Sequence, residues 1–97
     1  MKFDKEHYIK ELKENKSHAI ENTVIQCICE TIEILDENIT TKTELSDLSI
    51  NSLTFVSIIV KLEEAFDIEL DDSCLNSDNF ENIGQLVDIV KDNLLKI

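Results

Sequence analysis

The sequence predicts an all-α domain: a small antiparallel three-to-four-helix bundle with a long loop between its first two main helices. Three observations carry this reading. Gly84 is the only glycine among 97 residues and proline is absent, so the positive-φ turns on which tight β-hairpins rely are missing. Apolar residues recur at spacings of three and four in three separate segments, the period of a helix with one buried face. Asparagines stand where the second and third of those segments begin, and asparagine is a good helix N-cap. A chain of this length fits one modest core and is too short for two.

Residues 1–17, MKFDKEHYIKELKENKS, are charged and sparsely apolar, with Tyr8 and Leu12 one turn apart. They support a weak helix with little to bury. From Ala19 onward Val24, Ile28, Ile32 and Leu35 form one stripe, a helix ending near Asp36. The next fourteen residues, ENITTKTELSDLSI, have no helical period. A connection this long in a small domain is uncommon and often functional; Ile39, Leu45, Leu48 and Ile50 are expected to pin it to the core.

The following helix is the clearest element. Asn51 caps it, and Ile50 before the cap packs on Phe55, a hydrophobic staple. Phe55, Ile58, Ile59, Leu62, Ala65 and Phe66 gather on one face. Leu53, Val56 and Val60 gather on a second, about 130° away, beside Glu63 and Asp67. On pattern alone this second face suits a helix packed on both sides as well as it suits a surface for a partner. DIELDDSCLNSD then reads as a loop with one short helical turn. Asn82 opens the last helix with Gln85 at the capping-box position, and Ile83, Leu86, Val87, Val90 and Leu94 supply its core stripe.

Composition excludes several functions. Nine basic residues, all lysine, face 21 acidic ones, a net charge of −12, which argues against nucleic-acid binding. Residues 1–17 carry net +1 and residues 18–97 net −13, so the acidic body predicts basic partners. No apolar run approaches the roughly 20 residues of a membrane span, and no signal peptide is evident. One glycine rules out GxGxxG, the P-loop and the GxSxG elbow. Cys27 and Cys29 point about 200° apart on a helix and Cys74 is alone, so three free thiols in a reducing, cytoplasmic setting are expected. His7 and His18 would lie roughly 16 Å apart along a single helix, too far to share a metal. The acids from Asp71 onward fail the EF-hand pattern, because Asn76 and Asn82 occupy its glycine and glutamate positions. No catalytic set and no metal site emerge.

Ser52 remains, at the first turn of the central helix directly after the long loop. The stretch TELSDLSINSLTFVSIIVKLEEAFDIEL resembles the acyl carrier and peptidyl carrier protein family, in which a TxLxDLGxDSL segment leads into a helix and its serine carries 4′-phosphopantetheine. Thr43, Leu45, Asp47, Leu48, Ser52 and Leu53 match, as does the downstream run ending in Leu62, Glu63, Glu64, Phe66 and Asp67. LNSDNFENIGQLVDIV resembles the stretch into the family's last helix. The resemblance covers about residues 20–95, leaving residues 1–17 as a charged N-terminal extension to a carrier domain over 18–97. It implies a stand-alone monomeric carrier, not an enzyme, that holds acyl or aminoacyl thioesters on a 4′-phosphopantetheine arm at Ser52, for lipid (fatty acid) or natural-product (polyketide or nonribosomal peptide) biosynthesis. The implied partners are a phosphopantetheinyl transferase, a loading ligase and downstream synthase enzymes with basic docking surfaces. By the same resemblance Asn51, Leu53, Val56, Val60, Glu63, Glu64 and Asp67 form the docking surface. Asn51 stands where the family has aspartate and Ser49 where it has glycine, while Thr54 and Ser57 are neutral where fatty-acid carriers commonly have acids. These departures support an alternative, an unmodified carrier-like adaptor in which Ser52 only begins a helix.

Overall fold

The computed structural model describes residues 5–16, 18–34 and 38–95. Four α-helices, α1 (Lys5–Lys13), α2 (His18–Ile32), α3 (Ser52–Phe66) and α4 (Ile83–Leu95), are joined by 3-10 turns at Leu45–Leu48, Asp72–Leu75 and Ser77–Asn79. The expected helical bundle is what forms. α2 lies against both α3 and α4, and α1 lies against α2 and α4. The core is the predicted stripes brought together: Ile20, Val24 and Ile28 from α2, Phe55, Ile58, Ile59, Leu62 and Phe66 from α3, and Ile83, Leu86, Val87, Val90 and Leu94 from α4 are all buried. No helix among the described residues is long and apolar enough to cross a membrane.

Three helices end in the same way, and none uses glycine. Asn15, Glu33 and Asp67 adopt positive φ, at 60°, 59° and 53°. The next residue in each case donates back five positions: Lys16 to the Glu11 carbonyl at 2.8 Å, Ile34 to Cys29 at 3.0 Å and Ile68 to Glu63 at 3.1 Å. This is the Schellman closure, which satisfies carbonyls that a helix end leaves open. α2 therefore stops at Ile32; the expected continuation through Leu35 to Asp36 falls on residues outside those described.

The N-terminal segment has more to bury than its composition suggests, which corrects the expectation. Tyr8, Ile9 and Leu12 are half-buried against the core. The Tyr8 ring meets Phe66 edge-on, with centroids 4.8 Å apart, and its hydroxyl shares a 3.2 Å hydrogen bond with Thr23 Oγ1. Glu11 Oε1 accepts from the Ala19 amide at 3.0 Å and so caps the start of α2. Few apolar residues suffice here because one of them is a large ring covering the end of the core. α1 and α2 are separate helices, so no single helix carries both histidines; His18 is exposed at the start of α2 and the His7 side chain lies outside the described parts. Among the described residues, no three metal-binding side chains cluster.

The loop between α2 and α3 is pinned as predicted, with Ile39 and Leu45 buried and Leu48 and Ile50 half-buried. Its far end is clamped to the start of α4. Leu45 N donates to Glu81 O at 2.9 Å, Ile83 N to Thr43 O at 3.1 Å and Gly84 N to Thr41 O at 2.7 Å. Gly84 eases this close approach: a Cβ there would lie 3.1 Å from the Thr41 carbonyl oxygen and 3.2 Å from Asn82 Oδ1, tight enough that the loop would have to shift by a few tenths of an ångström. Asn82 caps α4 by accepting from the Gln85 amide at 3.0 Å, while Gln85 Oε1 accepts from Glu81 N at 2.6 Å, one residue beyond the usual capping-box partner. Between α3 and α4 there are two 3-10 turns where one was expected, tied together by Asn79 Nδ2 donating to the Ser73 carbonyl at 2.8 Å.

Two outcomes test this packing. Tyr8→Phe keeps the ring and loses the hydroxyl with its bond to Thr23, so it should cost about 0.5–1.5 kcal/mol. Tyr8→Ala should cost more, about 2–4 kcal/mol, by removing ring burial as well; denaturant midpoints will rank the two. The second outcome concerns Cys27, which is buried and whose thiol is pushed up from 9.0 to about 11, mainly by desolvation. As pH rises through this window the unfolded chain releases the proton first, so stability is full below pH 9 and falls toward pH 11. Cys27→Ala should lose that part of the alkaline decline, as measured by denaturation at pH 8, 9.5 and 11.

Candidate functional site

The candidate site is built from the end of the clamped loop and the first turn of α3. The 3-10 turn Leu45–Leu48 is closed by Ser49 in the left-handed region, at φ 54° and ψ 40°. That reversal delivers Ile50 to the rim of the core and Asn51, in extended conformation, to the head of α3. Asn51 Oδ1 accepts from the Thr54 amide at 2.8 Å, the N-cap bond expected of it. Phe55 N to Asn51 O, at 2.9 Å, is the first bond of the helical ladder. The amides of Ser52 and Leu53 therefore precede the ladder at the positive end of a 15-residue helix dipole. Ser52 is exposed, and no hydrogen bond engages its hydroxyl among the described residues. α3 has no acidic residue in its first turn.

α3 turns its second apolar stripe outward. Leu53 is 79% exposed and Val60 44%, while Val56 is half-buried at the edge of the stripe. Glu64 and Asp67 are exposed nearby, and Asn51 is exposed at the head of the helix. Glu63 differs from the rest. It is half-buried, and its Oε2 accepts from the Leu70 amide at 2.8 Å, holding the chain as it leaves α3. The residues singled out from sequence thus divide into an outward group around Leu53, Val60 and Glu64, and two anchoring residues, Asn51 and Glu63.

Two features had no sequence signal. Lys61 reaches Glu30 on α2, Nζ to Oε1 at 3.2 Å, placing a cation at the end of the otherwise neutral first three turns of α3. Glu30 is held below the usual carboxylate range by the hydrogen bond from Lys61, helped by one from Gln26. The other feature is a depression of about 390 Å³ beside the head of α3, lined by Glu44, Leu45, Ser46, Ile50, Phe55, Asp78, Phe80 and Glu81. Its walls come from two segments, residues 44–55 and 78–81, that meet at the backbone clamp and at the Phe55–Phe80 ring contact.

The segment that contains this exposed serine is similar to known proteins. Residues 22–90 match the family described as the phosphopantetheine attachment site. The chain belongs to that family. An acyl carrier protein of Cyanophora paradoxa is 40% identical over 67 residues, 62% of this chain and 59% of that protein. The chain thus spans about three-fifths of that relative's length, and no solved structure gives a significant match. The family's prosthetic group is 4′-phosphopantetheine, and the residues present fit it. The Ser52 hydroxyl is accessible, the unladdered amides of Ser52 and Leu53 suit a phosphodiester, and no carboxylate stands in the first turn to repel it.

The departures from the family have physical consequences at this site. Asparagine replaces aspartate at position 51 and keeps the cap. Serine replaces glycine at position 49 and keeps the left-handed turn, with a strain that glycine would not carry. Ser49→Gly should therefore raise stability by about 0.5–1 kcal/mol, and Asn51→Ala should lower it by about 1 kcal/mol through loss of the cap. Chemical denaturation of the two variants checks both signs.

Proposed function

We propose that this chain is a carrier protein, without catalytic residues of its own, that is modified at Ser52 and presents thioester-bound acyl or aminoacyl cargo to partner enzymes. The observation that supports this most is the accessible Ser52 hydroxyl at the first turn of α3, in a chain of the phosphopantetheine-attachment family. When bound, the prosthetic group supplies the thiol that carries the cargo. The chain's own residues then have three tasks. The clamped loop fixes where Ser52 stands, the first amides of α3 face the phosphodiester, and the outward stripe meets the enzyme that adds or uses the cargo.

The proposed partners are a phosphopantetheinyl transferase, a loading ligase and synthase enzymes of lipid or natural-product biosynthesis with basic docking surfaces. Leu53, Val56 and Val60 would supply apolar contact, with Glu64 and Asp67 as acidic rim; Asn51 and Glu63 hold the two ends of that surface in place. The neutral stretch from Ser52 to Val60 favours partners whose docking surface is apolar near the serine and basic further along α3. Asn51 in place of an acid supports the second reading, an unmodified adaptor using the same stripe.

Incubation with coenzyme A, magnesium and a permissive transferase should add one prosthetic group, detected by intact mass and lost in Ser52→Ala. An unchanged mass with several transferases would favour the adaptor. Val56→Asp should leave helicity and melting nearly unchanged while slowing transfer by a partner enzyme. Phe66→Asp should unfold the chain, since a buried unpaired carboxylate costs several kcal/mol against a total stability of roughly 5–15 kcal/mol. Equal collapse of both variants would place the Val56 stripe in the core and remove it as a docking surface.

A further inference from the structure

Lys61 is the only basic residue between Lys42 and Lys91, and its choice of partner is not the one its own helix offers. Glu64 stands one turn further along α3, and a lysine and a glutamate three positions apart on a helix are neighbours. Lys61 instead crosses the seam between α2 and α3, with Nζ 3.2 Å from Glu30 Oε1. Glu30 is held for this contact from its other side, because its Oε2 accepts from Gln26 Nε2 at 3.4 Å. Glu64 is exposed, and no ion pair or hydrogen bond engages its carboxylate among the described residues.

Two depressions flank the bridge along the seam. Val56 and Val60 line one, Gln26 and Glu30 line the other, and Lys61 and Glu64 border both. The lysine therefore has a carboxylate in range on each helix, and the one it takes decides the charge of the α3 face. Paired with Glu30, Lys61 is drawn toward α2 and leaves Glu64 an unpaired anion beyond Val60. Paired with Glu64, it would neutralise that anion and repel an approaching cation. Exposed pairs of this kind add little to stability. The consequence of the bridge lies in the charge that it leaves on α3.

We infer that Glu30, on α2, is a positioning residue for partner docking: it holds Lys61 off Glu64 and so keeps the Glu64 carboxylate open to a lysine or arginine of the partner. This rests on the reading of the outward face of α3 as a docking surface. It adds to that surface a residue on another helix that the partner need not touch.

The pairing is tested without a partner, by carboxyl-carbon NMR of the full chain. Lys61→Gln should shift the Glu30 carboxyl signal and leave that of Glu64 in place. In a Glu30→Gln background the same change should shift Glu64. A Glu64 signal that answers to Lys61 equally in both backgrounds would overturn the inference, since Glu30 would then control nothing. Docking is measured as the affinity of the Ser52→Ala chain for the permissive transferase, so that binding is not followed by reaction. Glu30→Gln should weaken it about two- to fivefold, the scale of one exposed charge pair, and less so at high salt. Asp92→Asn removes an equal charge from an exposed position on α4 and should weaken binding less. Adding Lys61→Gln to Glu30→Gln should restore the affinity, a recovery that loss of a merely structural contact would not show. An effect of Glu30→Gln no larger than that of Asp92→Asn, or no recovery, sinks the inference. Val56→Asp reports on the docking reading separately. Weakened binding there beside unaltered binding in Glu30→Gln keeps that reading and removes only the role of Glu30. No binding by the parent chain, or undiminished binding in Val56→Asp, removes the docking reading and this inference with it.

Discussion

Three backbone hydrogen bonds clamp the loop between α2 and α3 to the start of α4, and most of what is distinctive in the molecule depends on them. Leu45 to Glu81, Ile83 to Thr43 and Gly84 to Thr41 join segments that no helix packing would bring into register. A loop of this length costs conformational entropy throughout, and burial of Ile39 and Leu45 alone would fix its position without fixing its path. The clamp supplies the path. It sets the 3-10 turn, the reversal at Ser49, the cap at Asn51 and thereby the direction in which Ser52 faces. It also creates the walls of the acid-rimmed depression and starts α4 at Ile83. Glycine at position 84 admits the Thr41 carbonyl without crowding, since a Cβ there would lie 3.1 Å from that oxygen, which gives the one glycine a use.

Use of that glycine for close approach leaves none for left-handed turns. Four non-glycine residues nevertheless adopt that conformation among the described residues: Asn15, Glu33, Ser49 and Asp67. Asparagine and aspartate tolerate this region better than most residues, whereas Glu33 and Ser49 do so under more strain. The cost is tolerable because each helix end gains a Schellman bond that satisfies a carbonyl otherwise left open. Ser49 has a different return, since its reversal sets the approach to the Ser52 turn. Strain is therefore stored next to the proposed modification site and offset by the clamp on the other side of the loop.

What was legible in the sequence was whatever depends on helical period and capping. The stripes of α2, α3 and α4, the caps at Asn51 and Asn82, and the anchoring role of Ile39 and Leu45 are local facts, and 97 residues print them plainly. The angle between two stripes on one helix marked Leu53 and Val60 as a separate face, but only their exposure in the fold shows that this face turns outward. The packing of α1 was not legible, because three half-buried side chains leave a faint pattern and the contact between Tyr8 and Phe66 spans fifty-eight positions. The link from Glu63 to Leu70 was hidden for another reason: an acid near a helix end reads as surface charge until the following chain is seen to fold back to it. Lys61 beside Glu30, and the pairing of Glu44 with Asn82, are products of tertiary approach, with no local spacing to announce them.

Charge along α3 is set against the helix's own dipole, and this bears on how a carrier of this type would work. Acids normally stabilise a helix start and bases its end. α3 has no acid in its first turn and no base in its last, while Glu63 and Glu64 stand in that last turn. Such a pattern sacrifices a few tenths of a kcal/mol per charge to about 1 kcal/mol, softened at Glu63 by the Leu70 amide. A helix selected only for stability would place these residues the other way round. With a neutral first turn, the positive end of the dipole is not spent on side chains and would be open to the anionic group proposed at Ser52. With acids only at the far end, attraction to a basic partner acts at a distance from the serine. In the proposed docking role the near end would be left to the shape and apolar contact of Leu53 and Val60, where discrimination between partners would depend on fit rather than on charge.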